Sequence, residues 1–230
     1  MNLNGLEIDI IRSNRRKTVS INIERDGTVN IIVPIDLDES KILDILKSKE
    51  YEIHRQITNK KELNKNRIER KFVPGQSFLF LGKSYNLQIV ENQKEPLLLS
   101  KGSFLLSSNA LTKAEDTFIK FYKKQGKLIL DKRLETFTKK VANKPNEVKI
   151  MELKTRWASC SPLGNVIFNW KIFMALPSVI DYIIVHELTH LKHPNHSRAF
   201  WDDVSTLMPD YKNHVAWLNK NGAKLTLNEY

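Results

Sequence analysis

Residues 177–202, PSVIDYIIVHELTHLKHPNHSRAFWD, constrain the fold of this chain more than any other stretch. Val179, Ile180, Ile183, Ile184, Leu188 and Leu191 give a broad apolar surface at helical spacing, so the segment reads as a buried helix. Ser178 followed three residues later by Asp181 has the form of a capping box, which places the helix start there. His186 and His190 are four apart and share one face, about one turn from each other. Two imidazoles so placed can meet one small cation, and Glu187 beside the first can reach an attacking water without being a ligand. A catalytic zinc takes three protein ligands and keeps one position open. A straight helix would carry later residues past the ion, but Pro194 breaks it by disfavouring helix at His193. His196 follows the break and is the expected third ligand.

Four of the six histidines fall between positions 186 and 196, which argues against incidental histidines on a buried helix. His193 lies three residues after His190 and could compete as a ligand, but it is read as a bystander facing solvent or supporting the site. His54 and His214 are isolated and are read as structural or surface residues. Cys160 has no partner at metal spacing and is read as a small buried residue.

The rest of the composition sets the context. Hydrophobic residues make up 41% and charged residues 27% of the 230, as in an ordinary globular protein. No apolar run is long enough to cross a bilayer, and the N-terminus lacks the apolar core of a secretory signal. A single cysteine excludes an intramolecular disulfide and fits a reducing compartment, so a cytoplasmic location is expected. The net charge of +11 is uneven: residues 1–145 hold 28 Lys/Arg against 18 Asp/Glu, and residues 146–230 hold 9 against 8. A basic N-terminal half can attract nucleic acid, or it can be a solvated helical surface.

Along the chain, Leu6–Ile11, Val19–Ile23 and Val29–Val33 read as strands, with Asp26–Gly27 as a hairpin signal. After Pro34, Asp36 and Asp38 introduce a helix with Ile42, Ile45, Leu46 and Ile53 at helical spacings, and 59–71 reads as its charged, solvated tail. A second β segment runs from Phe78 to Ile89 around a turn at Gly82–Lys83. Leu97–Leu99 and Phe104–Leu106 follow, separated by Lys101–Gly102. Thr112 to Ala142 reads as one or two helices with a basic outer face. Lys144–Pro145–Asn146 is a break between an N-terminal half and the catalytic part. Beyond it, Val148–Leu153 reads as a strand, and Arg156–Cys160 pairs with Val166–Asn169.

Several of these segments together carry a resemblance. RWASCS (156–161), NWKIFMALP (169–177), YIIVHELTHL (182–191) and NHSRAFW (195–201) resemble the YgjP-like metallopeptidase family, and RRKTVSINIERDGTVNIIVP (15–34) is similar to that family's opening β segment. The third-ligand segment, His196 followed by Phe200, is also similar to that of the WLM and Spartan proteases, which act on proteins crosslinked to DNA. The interval from His186 to His196 is that of the metzincin pattern, with His193 where that pattern has glycine. The resemblance implies an α+β, zincin-like metallopeptidase core, with the HExxH helix packed on a small β-sheet and a β-rich N-terminal half. It also implies a mononuclear Zn2+ held by His186, His190 and His196, with Glu187 catalytic. The expected division is a β-rich region over 1–110 and a zincin-like catalytic region over 111–230, with one continuous domain as the alternative.

The expected function is zinc-dependent hydrolysis of a peptide or protein, with Glu187 as general base and general acid. Tyr211 and Arg156 are candidate donors to the oxyanion, and the RWASC segment could be an edge along which a peptide lies. Two alternatives keep the metal. A nucleotide pyrophosphatase could use the same ion, although no Gly-rich phosphate loop or carboxylate cluster for magnesium is present. A nucleic-acid-associated protein with a structural zinc would have no use for Glu187.

Overall fold

The computed structural model describes residues 1–24, 27–64, 70–141, 143–153 and 156–227, without the side chains of 59–64. Asp26 and residues 65–69 of the expected charged tail lie outside them. The chain divides into two compact units, 1–68 and 69–229, and the fold class is α+β.

The first unit is a four-stranded sheet and a helix. Its strands are β1 (Asn2–Leu3), β2 (Leu6–Ser13), β3 (Ser20–Ile23) and β4 (Val29–Pro34), in the order β1-β2-β4-β3. β4 lies inside the sheet, parallel to β2 and antiparallel to β3. Its alternation buries Val29, Ile31 and Val33. The helix α1 (Glu39–Asn64) joins that face through Ile42, Leu46, Ile53 and Ile57, a stripe spaced four, seven and four residues apart.

The second unit holds the HExxH segment. Strands β5 (Ser77–Phe80), β6 (Lys83–Val90), β7 (Leu97–Ser100) and β8 (Ser103–Ser107) form a sheet ordered β5-β6-β8-β7. The long helix α2 (Ala114–Val141) is single and unbroken. Phe118, Phe121 and Tyr122 of α2 pack among Phe78, Phe80 and Phe104 of the sheet, and the Tyr122 hydroxyl donates to the Leu79 carbonyl at 2.5 Å. The β5–β6 turn is Leu81–Gly82, one residue earlier than the sequence pattern gives, with both residues at positive φ. Tertiary contacts fix it there. Leu81 and Gly82 donate backbone hydrogen bonds to the Phe173 and Met174 carbonyls, and a Cβ on Gly82 would meet Leu176 at 2.4 Å.

After the break at Pro145 comes a three-stranded sheet, β9 (Glu147–Met151), β10 (Ala158–Cys160) and β11 (Asn165–Asn169), in the order β10-β11-β9. β10 and β11 pair antiparallel as expected, and β9 lies parallel to β11. Buried Asn169 ends β11 and ties down the approach to β10, donating from Nδ2 to the Leu153 and Arg156 carbonyls at 2.7 and 3.0 Å. Three helices follow: α3 (Pro177–His190), α4 (Arg198–Leu207) and α5 (Tyr211–Asn221). α3 carries HExxH and packs on α2, α4, α5 and β10.

The capping box is corrected. The residue before the first turn of α3 is Leu176, Pro177 is its first residue, and Asp181 pairs instead with Arg133 on α2. Proline at the first helical position needs no N–H there, so the helix starts without a side-chain cap and leaves Asp181 for the ion pair. Among the described residues, no helix is long and apolar enough to cross a membrane.

Candidate metal centre

The centre is built from α3 and the turn that leaves it. Apolar burial holds α3 in place: Val179, Ile180, Ile183, Ile184 and Leu188 are at most 4% exposed. His186, Glu187 and His190 are thereby fixed at the end of a rigid element. The chain leaves α3 at Leu191, and the His193 amide still donates to the Thr189 carbonyl at 3.0 Å before Pro194 interrupts the helix. The Ser197 side chain accepts from the Phe200 amide at 3.4 Å and starts α4. His196 stands between the two helices.

The ring nitrogens of His186, His190 and His196 come within 4.8 Å of one another and could hold a metal ion. The Nε2 atoms of His186 and His196 are 3.0 Å apart. Two nitrogens in a tetrahedral zinc shell are separated by about 3.3 Å, given Zn–N bonds of about 2.05 Å. The donor set fits the ion in protonation as well. His190 Nδ1 lies 3.0 Å from the His193 carbonyl, which can only accept, so Nδ1 carries the hydrogen and Nε2 keeps its lone pair. Burial, with the neighbouring imidazoles His190 and His196, pushes His186 down to about 3 and keeps it neutral. Phe200 is buried beneath all three rings, 4.6–5.0 Å between centroids, and Trp201 stacks on His196.

Glu187 is 6% exposed. Desolvation raises its carboxyl to about 7, against the Arg156 guanidinium and a hydrogen bond from the Cys160 amide, which both favour the charged form. The cleft beside it holds about 660 Å³. It is lined by β10, by Tyr182, Ile183 and the histidines of the cluster, and by Val215, Leu218 and Asn219 of α5.

His193 turns away from the three rings. Its Nε2 meets Asp203 Oδ2 at 2.9 Å, and Lys192 Nζ reaches the same oxygen at 2.8 Å. His193 is not at positive φ, so this turn does not need the glycine of the metzincin pattern. Arg156 lines the cleft, whereas Tyr211 stacks on Trp201 at 5.2 Å and is not among the lining residues. His54 lies beside Glu50, and His214 beside Asp210. Cys160 lines the cleft half-buried and contributes its backbone amide to Glu187.

Two participants were not singled out in the sequence. Tyr182, whose hydroxyl is 3.4 Å from His186 Nδ1, sits four residues before His186 on the same helix face, so helical spacing could have found it. Asp203 has no comparable local signal.

The profile of the family described as YgjP-like, metallopeptidase domain, matches residues 17–221. The chain belongs to the YgjP-like metallopeptidase family. Among curated proteins, none matches it. Among solved structures it is similar to the metallopeptidase zymogen of abylysin from Pyrococcus abyssi, at 26% identity and a TM-score of 0.37, over 40% of this chain and 93% of that one. Membership of the YgjP-like family implies a divalent metal and a peptidase activity, and the three imidazoles on α3 and before α4 could hold such an ion.

Proposed function

We propose that this YgjP-like protein is a zinc peptidase in which His186, His190 and His196 hold the ion and Glu187 is the general base. The observation that carries the reading is the pairing of a buried carboxylate near neutrality with three convergent imidazoles in one cleft. When bound, zinc would polarise the scissile carbonyl as a Lewis acid. Glu187 takes a proton from the attacking water and passes it to the nitrogen of the leaving amine. The Cys160 amide orients the carboxylate, and Arg156 balances its charge. The His193 carbonyl fixes the His190 tautomer, and a neutral Tyr182 hydroxyl accepts from His186 Nδ1. Arg156 is the candidate donor to the developing oxyanion, since it lines the cleft and Tyr211 does not.

The wall of the cleft favours a peptide over a nucleotide. β10 is the outer strand of its sheet. The bonds Ser161 N to Asn165 O and Asn169 N to Trp157 O make Ser159 the residue bonded to β11. Ala158 and Cys160 therefore direct their main-chain groups away from β11; the Cys160 amide is taken by Glu187, and an extended chain can pair with the Ala158 main chain beside it. A triphosphate would require several cations, and among the described residues lining the cleft Arg156 is the one Lys or Arg.

The test compares wild type with Glu187→Gln, each assayed for zinc content, casein or peptide cleavage, nucleotide hydrolysis and DNA binding. Glu187→Gln is expected to retain zinc and lose peptide cleavage by about 10²–10⁴-fold. Phosphate release from nucleotides without peptide turnover would overturn the reading. So would DNA binding in both proteins with no hydrolysis in either.

A further inference from the structure

A second groove lies away from the histidines, between β7 and α2. It holds about 580 Å³. Phe80, Leu97, Leu99 and Phe121 supply its apolar surface, and Lys120 and Lys124 stand on it from α2. The two lysines are four residues apart and share one face of the helix. Both are exposed, and among the described residues no carboxylate pairs with either. Among the described residues, Glu95 is the single acidic one lining the groove.

β7 is the outer strand of its sheet. The Ser107 amide donates to the Pro96 carbonyl, and Leu98 and Ser100 stand opposite Leu105 and Ser103. The residues bonded to β8 are thus 96, 98 and 100, so Leu97 and Leu99 turn their N–H and C=O groups to the open edge. Their side chains point the other way from Leu98, which is 40% exposed, and face α2. Among the described residues, an unpaired edge, an apolar trough and two unpartnered cations therefore coincide.

We propose that this groove binds an extended, acidic segment of another protein, which adds a strand to β7 and sets carboxylates against Lys120 and Lys124. In an added strand, alternate side chains would fall on α2. Apolar ones would fill the trough over Phe80 and Phe121, and acidic ones two residues away would reach the lysines. The open strand edge argues for a polypeptide over any other polyanion, because neither a nucleic acid nor a fatty acid can continue a sheet. The site does not depend on the catalytic reading.

The test is fluorescence anisotropy with the full chain carrying Glu187→Gln, so that the probe is not cleaved. The probe is a fluorescein-labelled decapeptide in which leucine and glutamate take turns at every second position, with threonine between them, so that both fall on one face of an added strand. Saturable binding is expected, with little binding of the leucine–lysine counterpart. Lys120→Glu combined with Lys124→Glu should weaken it at least tenfold at unchanged circular dichroism. N-methylation of alternate amides in the probe should weaken it similarly with no change to the protein. Equal binding of the basic peptide would overturn the proposal. So would wild-type affinity in the double variant, which would place the probe in the metal cleft instead. A single-stranded oligonucleotide that binds while the peptide does not, and is lost in the double variant, would assign the lysines to nucleic acid and also overturn it.

Discussion

At the scale of single residues, the centre depends on side chains that never touch the proposed ion. Asp203 accepts from His193 and Lys192, and these bonds hold its carboxyl below the usual carboxylate range. The same bonds anchor the turn that brings the His193 carbonyl to His190. Asp203 is therefore a positioning residue, and Asp203→Ala is expected to weaken zinc binding about 10–100-fold in chelator competition. Unchanged zinc affinity would show that the turn holds itself. The cluster His186, Glu187, His190 and His196 was legible in sequence because helix spacing and the proline break are local facts. Asp203 was not, because its role depends on how α4 docks against α3. His193 shows the same limit from the other side. Its ring is indeed turned from the other three, yet its carbonyl matters to them, and no side-chain identity announces a carbonyl.

At the scale of elements, the agreement follows periodicity. β3, β4, β7, β8, β10, β11 and α2 fall where alternation or helical spacing placed them, because each has one buried face. The misplaced features are ends: the β5–β6 turn is set by Phe173 and Met174, distant in sequence, and α3 starts on Pro177, with Asp181 drawn to Arg133 instead of serving a cap. Gly126 is a further case. A glycine inside a helix ordinarily costs stability, but here α2 crosses the 170–174 segment so closely that a Cβ would meet the Phe173 ring at 2.1 Å. Gly126→Ala should therefore lower stability by about 1–3 kcal/mol in denaturant unfolding instead of raising it. A stabilised variant would mean that the Phe173 ring has room to move.

At the scale of the whole molecule, the basic surplus has a definite address. Residues 1–68 hold 13 Lys/Arg against 11 Asp/Glu, so most of the excess lies in 69–145, much of it on the outer face of α2. The second unit is also tied end to end. Buried Arg70 donates to the carbonyls of Ser77, Lys224 and Thr226, joining the first residues of that unit to its last. Arg70→Met would leave those acceptors short of a donor and should cost about 2–4 kcal/mol, read as a fall in Tm. An unchanged Tm would show that the C-terminal stretch is held by Leu225 and Leu227 alone. The turn between His190 and His196 has a consequence of its own. Two of the proposed ligands sit on a rigid helix and the third on a short connection clipped by one carboxylate, so loading the ion is a local ordering event within an already folded protein. Hydrogen exchange should then slow on zinc addition at the amides of 191–197 while the buried turns of α3 stay as they were, making this one connection the place where the protein registers whether its metal is aboard.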